Sequence, residues 1–446
     1  MNMEATTTQS AAPRAQHRRK RSSLRLDQAF DPNANSLGFM RLVFAAMVLF
    51  DHAFPLGGFH GGLDPGWAWT KGQEDFGGLA VAGFFVVSGF LVTRSFLSSS
   101  TSIRYLWKRV LRIFPGFWVC LIVTVVLFAP LAFHYEHGTL HAYLHGYPDP
   151  PGDYLRRNAL LDMNQYGINQ LLAGIPWPNA FDGSLWTLMY EFKCYLAVMA
   201  LGIFGILQRR IFVLALAVFL WASEIGEFYN PNDVKRMIPL FADVELVHLS
   251  FMFSLGAVLY LYRDRIIISN LIAALALMGF LAGSAIHGWF YPIGEVSFAY
   301  LCLWGAVRIP IRHFDRFGDF SYGLYVYAFP VEQLASLYGI NKWGLGPYLL
   351  VTFPISMLFA VASWFIVERT FLNLKRVKLP TLWRSPAWWS EKVQGKSPAI
   401  GRPEDNNMSE APPEVQAAAQ AEGGPEDPGA DRSTDRPELS PEPAPR

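Results

Sequence analysis

Between about Gly38 and Arg369 the chain keeps returning to apolar runs near 20 residues long, and nothing else in it limits the fold as strongly. Twenty helical residues cover about 30 Å, the thickness of a hydrocarbon core. Only 16% of the 446 residues are charged, against about 25% in soluble domains. Both ends of the chain are polar, so the middle is poorer still. The expected fold class is all-α, a polytopic membrane helical bundle. Ten runs qualify, at about 38–56, 77–96, 110–133, 184–206, 211–225, 238–261, 266–284, 289–307, 320–338 and 346–368. The fifth is short and Pro330 interrupts the ninth, which makes these two the weakest. No 20–50-residue repeat appears, so a solenoid is not expected.

Lys and Arg in the connecting loops set the orientation. With the leading segment inside, that segment, the inner loops and the stretch Arg369–Arg384 hold 23 of them and the outer loops 6. That imbalance predicts both termini in the cytoplasm and an even number of crossings, about ten transmembrane helices in all. Residues 1–36, with the basic cluster Arg18–Arg21, read as a cytoplasmic tail without structure. Residues 37–370 form the membrane domain, and 371–446 a Pro/Glu/Ala-rich cytoplasmic tail, mostly without structure. Cys120, Cys194 and Cys302 all fall in apolar runs, so neither a disulfide framework nor a zinc site is expected.

Charges inside the spans are costly, about 2.5–3.5 kcal/mol each on insertion scales, so each one calls for a reason. In FMRLVFAAMVLFDHAFPLGG, Arg41 and His52 lie 11 residues apart. On a helix that is three turns plus about 20°, one face, with about 16 Å between them along the axis. Arg109 and Arg112 are i,i+3 neighbours, a pair suited to bidentate anion binding. Ser184, Thr187 and Glu191 make one helical stripe. Ala80, Ala82, Gly83, Ser88 and Gly89 would let the second span approach a neighbour closely. His134, His137, His141 and His145 have spacing that suits a metal, but no carboxylate or thiol completes the set, so no metal site is expected.

Taken in order, the Arg41/His52 pair, FFVVSGFL, RVLRIFP, GSLWTLMYEF and FSYGLYVYAFPVEQ resemble the acyltransferase-3 family of integral membrane acyltransferases over about 330 residues. The resemblance implies transfer of an acyl group, commonly acetyl, from cytoplasmic acyl-CoA to a hydroxyl of a cell-envelope glycan or glycolipid at the inner (cytoplasmic) membrane. Acyl-CoA is then a donor substrate and no tightly bound cofactor is implied. The partners are the donor, the glycan acceptor and the lipid bilayer, with no nucleic acid. It also implies catalytic roles for His52, Glu191 and Arg41, and cofactor-binding roles for Arg109, Arg112 and Arg41. One departure stands out: many relatives carry His in the late motif where this chain reads Tyr327-Ala328-Phe329-Pro330. His52 is therefore expected as the sole general base, taking the hydroxyl proton near its ordinary pKa of about 6.5. Glu191 is expected to orient it in preference to Asp51, which sits about 100° round the helix. The alternative reading is a transporter or flippase of a lipid-linked saccharide.

Overall fold

The computed structural model describes residues 23–146, 148–230 and 243–377. Most of the leading tail and nearly all of the trailing one lie outside the described residues. The described residues are mostly helical, with a single two-stranded sheet. In it Ser23–Arg25 pairs antiparallel with Ile267–Ser269, and Leu26 just beyond is fully buried. Residues 23–36 thus fold onto the bundle.

Each of the ten apolar runs holds a helix. They are α1 Leu37–Gly57, α2 Phe76–Leu97, α3 Ser102–His137, α4 Thr187–Ile203, α5 Arg210–Tyr229, α6 Val244–Leu261, α7 Asn270–Ala285, α8 Phe290–Arg308, α9 Ser321–Leu337 and α10 Leu345–Arg376. Seven of them, all but α4, α7 and α9, are long and apolar enough to cross a membrane. Side-chain caps start several at defined residues: Asp75 accepts from the Gly78 amide (2.6 Å) and Thr101 from Arg104 (3.1 Å). Such caps satisfy amides that have no partner within the helix. The Thr101 cap starts α3 eight residues before the expected 110, so Arg109 and Arg112 stand on its second and third turns.

The ninth run, weak by sequence, is the central pillar: every residue from Ser321 to Ser336 is buried. A helix enclosed on all sides need not be amphipathic. Pro330 removes the amide that would have bonded the Val326 carbonyl. The Cys120 thiol, 3.3 Å away, donates there instead. Helices α2 and α6 approach closest at Gly89 and Gly256. A Cβ on Gly89 would strike the Phe253 carbonyl, and one on Gly256 the Val86 carbonyl.

The long segment 138–186 folds over one end of α9. Gln333 donates to the carbonyls of Trp177 (2.8 Å) and Ala180 (2.7 Å). Asp182 is fully buried and accepts from Thr124 (2.9 Å), in a π-helical turn of α3, and from Tyr154 (2.5 Å). These bonds fix the stretch that delivers Ser184, Thr187 and Glu191. Gly138, at φ 70°, ends α3 between His137 and His141, so the histidine spacing does not continue on one helix.

Candidate active site

Two cavities among the described residues are lined by α1. The smaller, about 100 Å³, is lined by Arg41 of α1, Ser88 of α2, Arg109 and Arg112 of α3, and Glu191 and Tyr195 of α4. The larger, about 480 Å³, is lined by Asp51 and His52 of α1, Glu74 and Asp75 at the start of α2, and Glu224 and His248 of α5 and α6. Val81, Thr187 and Tyr325 line both. At that boundary the Tyr325 hydroxyl donates to the Ser184 carbonyl (2.8 Å) and lies 2.5 Å from the Thr187 hydroxyl. The shared helical face of Arg41 and His52 therefore opens into two chambers that meet at a hydroxyl pair.

In the smaller cavity two of the three arginines are held in place by carboxylates. Arg41 (3.0 Å) and Arg112 (2.6 Å) both contact Asp319 Oδ2, and Arg112 also reaches Glu368 (3.5 Å). Burial would raise the Asp319 carboxyl, but the Arg112 and Arg41 guanidiniums beside it hold it at about 2. Ser321 donates to its other oxygen (2.6 Å). The Arg109 guanidinium lies over the Tyr195 ring, 5.6 Å from its centre. The Nε atoms of Arg41 and Arg109 are buried without a hydrogen-bond partner. Three guanidiniums fixed around a small cavity, with donors to spare, suit an anion such as a phosphate.

Glu191 shares this cavity and does not reach His52. It accepts from Ser88 (2.9 Å) and Tyr195 (2.5 Å), both on the arginine side. The expectation that Glu191 orients His52 is therefore corrected. The i,i+4 geometry that gives Glu191 to Tyr195 also turns it away from the His52 end of α1. Lys193 turns elsewhere, over the Tyr190 ring at 4.6 Å.

His52 lies edge-on to Phe329 of α9, ring centres 5.4 Å apart. Phe329 belongs to the stretch Tyr327–Pro330, so the late motif packs beside the expected base. His52 Nδ1 is buried with no hydrogen-bond partner. The Asp51 carboxylate lies against Gly77, where a Cβ would collide with it. Burial pushes the Glu74 carboxyl up to about 8, outweighing the downward pull of His248.

Asp319, Glu368, Tyr195 and Tyr325, the partner of Thr187, were not singled out in the sequence. Asp319 immediately precedes FSYGLYVYAFP on the arginine-rich side of the chain. An acidic residue at that place, facing two arginines inside apolar runs, is the one signal that could have found it.

The fold and its two polar chambers define a multi-pass helical membrane protein. The chain belongs to the acyltransferase-3 family, whose Acyltransferase domain matches residues 35–367. It is 31% identical over 358 residues to an O-acetyl transferase of Shigella phage Sf6, covering 78% of this chain and 98% of the relative. It is 26% identical over 367 residues to Nodulation protein 10 of Rhizobium leguminosarum bv. viciae, covering 76% of this chain and 94% of that one. No solved structure matches it significantly. The protein is an enzyme that transfers acyl groups.

Proposed function

We propose that this enzyme moves an acetyl group from cytoplasmic acyl-CoA to a hydroxyl of a cell-envelope glycan or glycolipid, with His52 as general base. The observation that carries this reading is the meeting of the arginine cavity and the His52 cavity at Thr187 and Tyr325. Arg41, Arg109 and Arg112 hold the donor's phosphates, with Asp319 fixing two of the three. The thioester arm extends toward Tyr325, and the acceptor enters the larger cavity. The acceptor oxygen forms its bond to the acyl carbon as the C–S bond breaks. His52 takes the hydroxyl proton and returns it to the departing CoA sulfur. Glu191 acts in the donor cavity as a positioning residue, through Ser88 and Tyr195. The name of the Sf6 relative supports acetyl as the group transferred. On this reading both termini are cytoplasmic, the chain crosses the inner membrane ten times, and a cytoplasmic donor serves an acceptor on the far side.

Acetylation of envelope glycans, measured by mass spectrometry in cells carrying His52→Ala or Arg109→Ala, tests it. His52→Ala should lower turnover about 10²–10⁴-fold, the usual contribution of a general base. Arg109→Ala should raise KM for acyl-CoA more than it lowers kcat. Undiminished acetylation by a His52→Ala protein present at normal levels would overturn the assignment.

A further inference from the structure

Outside the arginine cavity, four side chains from four elements converge beside the His52 cavity, three of them on its wall and Glu295 buried behind His248. Glu74 precedes α2, Glu224 comes from α5, His248 from α6 and Glu295 from α8. Ligand atoms of Glu74, His248 and Glu295 all lie within 4.8 Å of one another. His248 Nδ1 sits 2.5 Å from Glu224 Oε1 and 3.2 Å from Glu295 Oε1. Glu295 is 1% exposed, and neither of its carboxylate oxygens accepts a hydrogen bond. Glu224 is 6% exposed and its Oε2 is likewise unpartnered.

This arrangement has a charge deficit that hydrogen bonding does not repair. Buried carboxylates need partners, and three of them here face a single imidazole. Neither Lys nor Arg is among the described residues that line the cavity. Glu224 at His248 Nδ1 is placed as the carboxylate that would hold a metal-ligating histidine. With Nδ1–H given to Glu224, the remaining lone pair is on Nε2, and such carboxylate–histidine pairs fix the tautomer and orientation of coordinating histidines. Two carboxylates and an imidazole suit a divalent first-row cation such as Mn²⁺ or Zn²⁺.

We propose that Glu74, His248 and Glu295 bind one divalent metal ion, with Glu224 orienting His248. The ion ties α6 and α8 to the connection that opens α2, bracing the cavity that carries His52. The site is distinct from the histidines at 134–145, the only metal candidates visible in the sequence. It does not depend on the acyl-transfer reading, because its test reads metal rather than product.

The full-length protein, purified in detergent through metal-free buffers, is assayed by elemental mass spectrometry and by thermal unfolding with Mn²⁺ or Zn²⁺ added alone. Wild type should hold about one equivalent after a single addition and gel filtration, and melt at a higher temperature when loaded. Glu224→Gln should weaken the metal about 10–100-fold, as loss of an orienting partner does. Glu295→Gln and Glu74→Gln should abolish binding, while the His134→Ala/His137→Ala protein binds as wild type. Should Glu295→Gln fail to fold, Glu74→Gln, at the less buried end of the cluster, carries the same test. Failure of wild type to retain either metal, with no shift in melting, would overturn the proposal and leave shared protons as the neutralising charge. Wild-type stoichiometry in both Gln variants would overturn it too, by assigning the metal to another place.

Discussion

Asp319 gives one carboxylate oxygen to two guanidiniums, so its removal acts on Arg41 and Arg112 together. Asp319→Asn keeps the shape and removes the charge. Breaking a buried pair from one side costs about 3–5 kcal/mol, because the charges left behind are uncompensated. Thermal unfolding at pH 7 should show a loss near the lower figure, and KM for acyl-CoA should rise as Arg41 loses its anchor. Equal melting of the two proteins would mean the arginines are neutralised elsewhere. The contribution is present above the ordinary carboxyl value of 3.8 and is lost as pH falls through about 2. Asp182 has the opposite sign. Burial raises its carboxyl from 3.8 to about 6 despite the hydrogen bonds from Tyr154 and Thr124. The folded state therefore holds the proton more tightly than the unfolded one, and stability falls as pH rises from about 4 to 6. Asp182→Asn should melt at or above wild type at pH 7.5, and the two should converge as pH approaches 4. A lower melting temperature at pH 7.5 would show that the ionised form is the one the loop requires. Arg41, Arg109 and Arg112 were legible in the sequence because a charge in an apolar run stands out. Asp319 and Asp182 were not, since each lies in an ordinary polar loop and matters only through neighbours distant in sequence.

Among the elements, close approach of α2 and α6 depends on two glycines. Gly89 belonged to a visible run of small residues, but its partner Gly256 has no such setting and could not be paired with it from sequence. Gly256→Ala would put a methyl group into the α2 backbone near Val86 and Phe90, and overpacking of this kind costs about 1–3 kcal/mol. Gly346, with open space around its Cβ direction, is the control: Gly346→Ala should stay within about 0.5 kcal/mol of wild type. Comparable melting of both variants would mean that the two helices separate freely. The enclosure of α9 was hidden for a related reason. Pro330 looks like a break when the helix is read alone, and the thiol that accompanies the freed carbonyl comes from α3. Local pattern carries the face and period of a helix, while its partner's contribution appears only once the two are packed.

For the whole molecule, the apolar runs gave the helices and the multi-pass class, but length alone does not decide whether α4, α7 and α9 cross. Each has 16 or 17 residues, about 25 Å of helix, short of the hydrocarbon core by several ångströms. For α9 this shortfall is immaterial, because it is enclosed by protein and makes no demand on lipid thickness. For α7 it matters, since Leu271, Leu275 and Met278 are exposed and any mismatch falls on the bilayer. The three native cysteines are buried, so single introduced cysteines can be read with an impermeant maleimide against a low background. Exposed positions flank each short helix: Leu144 and Phe204 about α4, Ile267 and Ile286 about α7, Phe317 and Trp343 about α9. With both termini inside and ten crossings, Leu144→Cys, Ile286→Cys and Trp343→Cys label in intact cells. Phe204→Cys, Ile267→Cys and Phe317→Cys label only after permeabilisation. A pair that labels from one side removes that helix from the count. Reversal of all six would invert the orientation, placing the arginine cavity away from the cytoplasmic donor and taking the proposed direction of transfer with it.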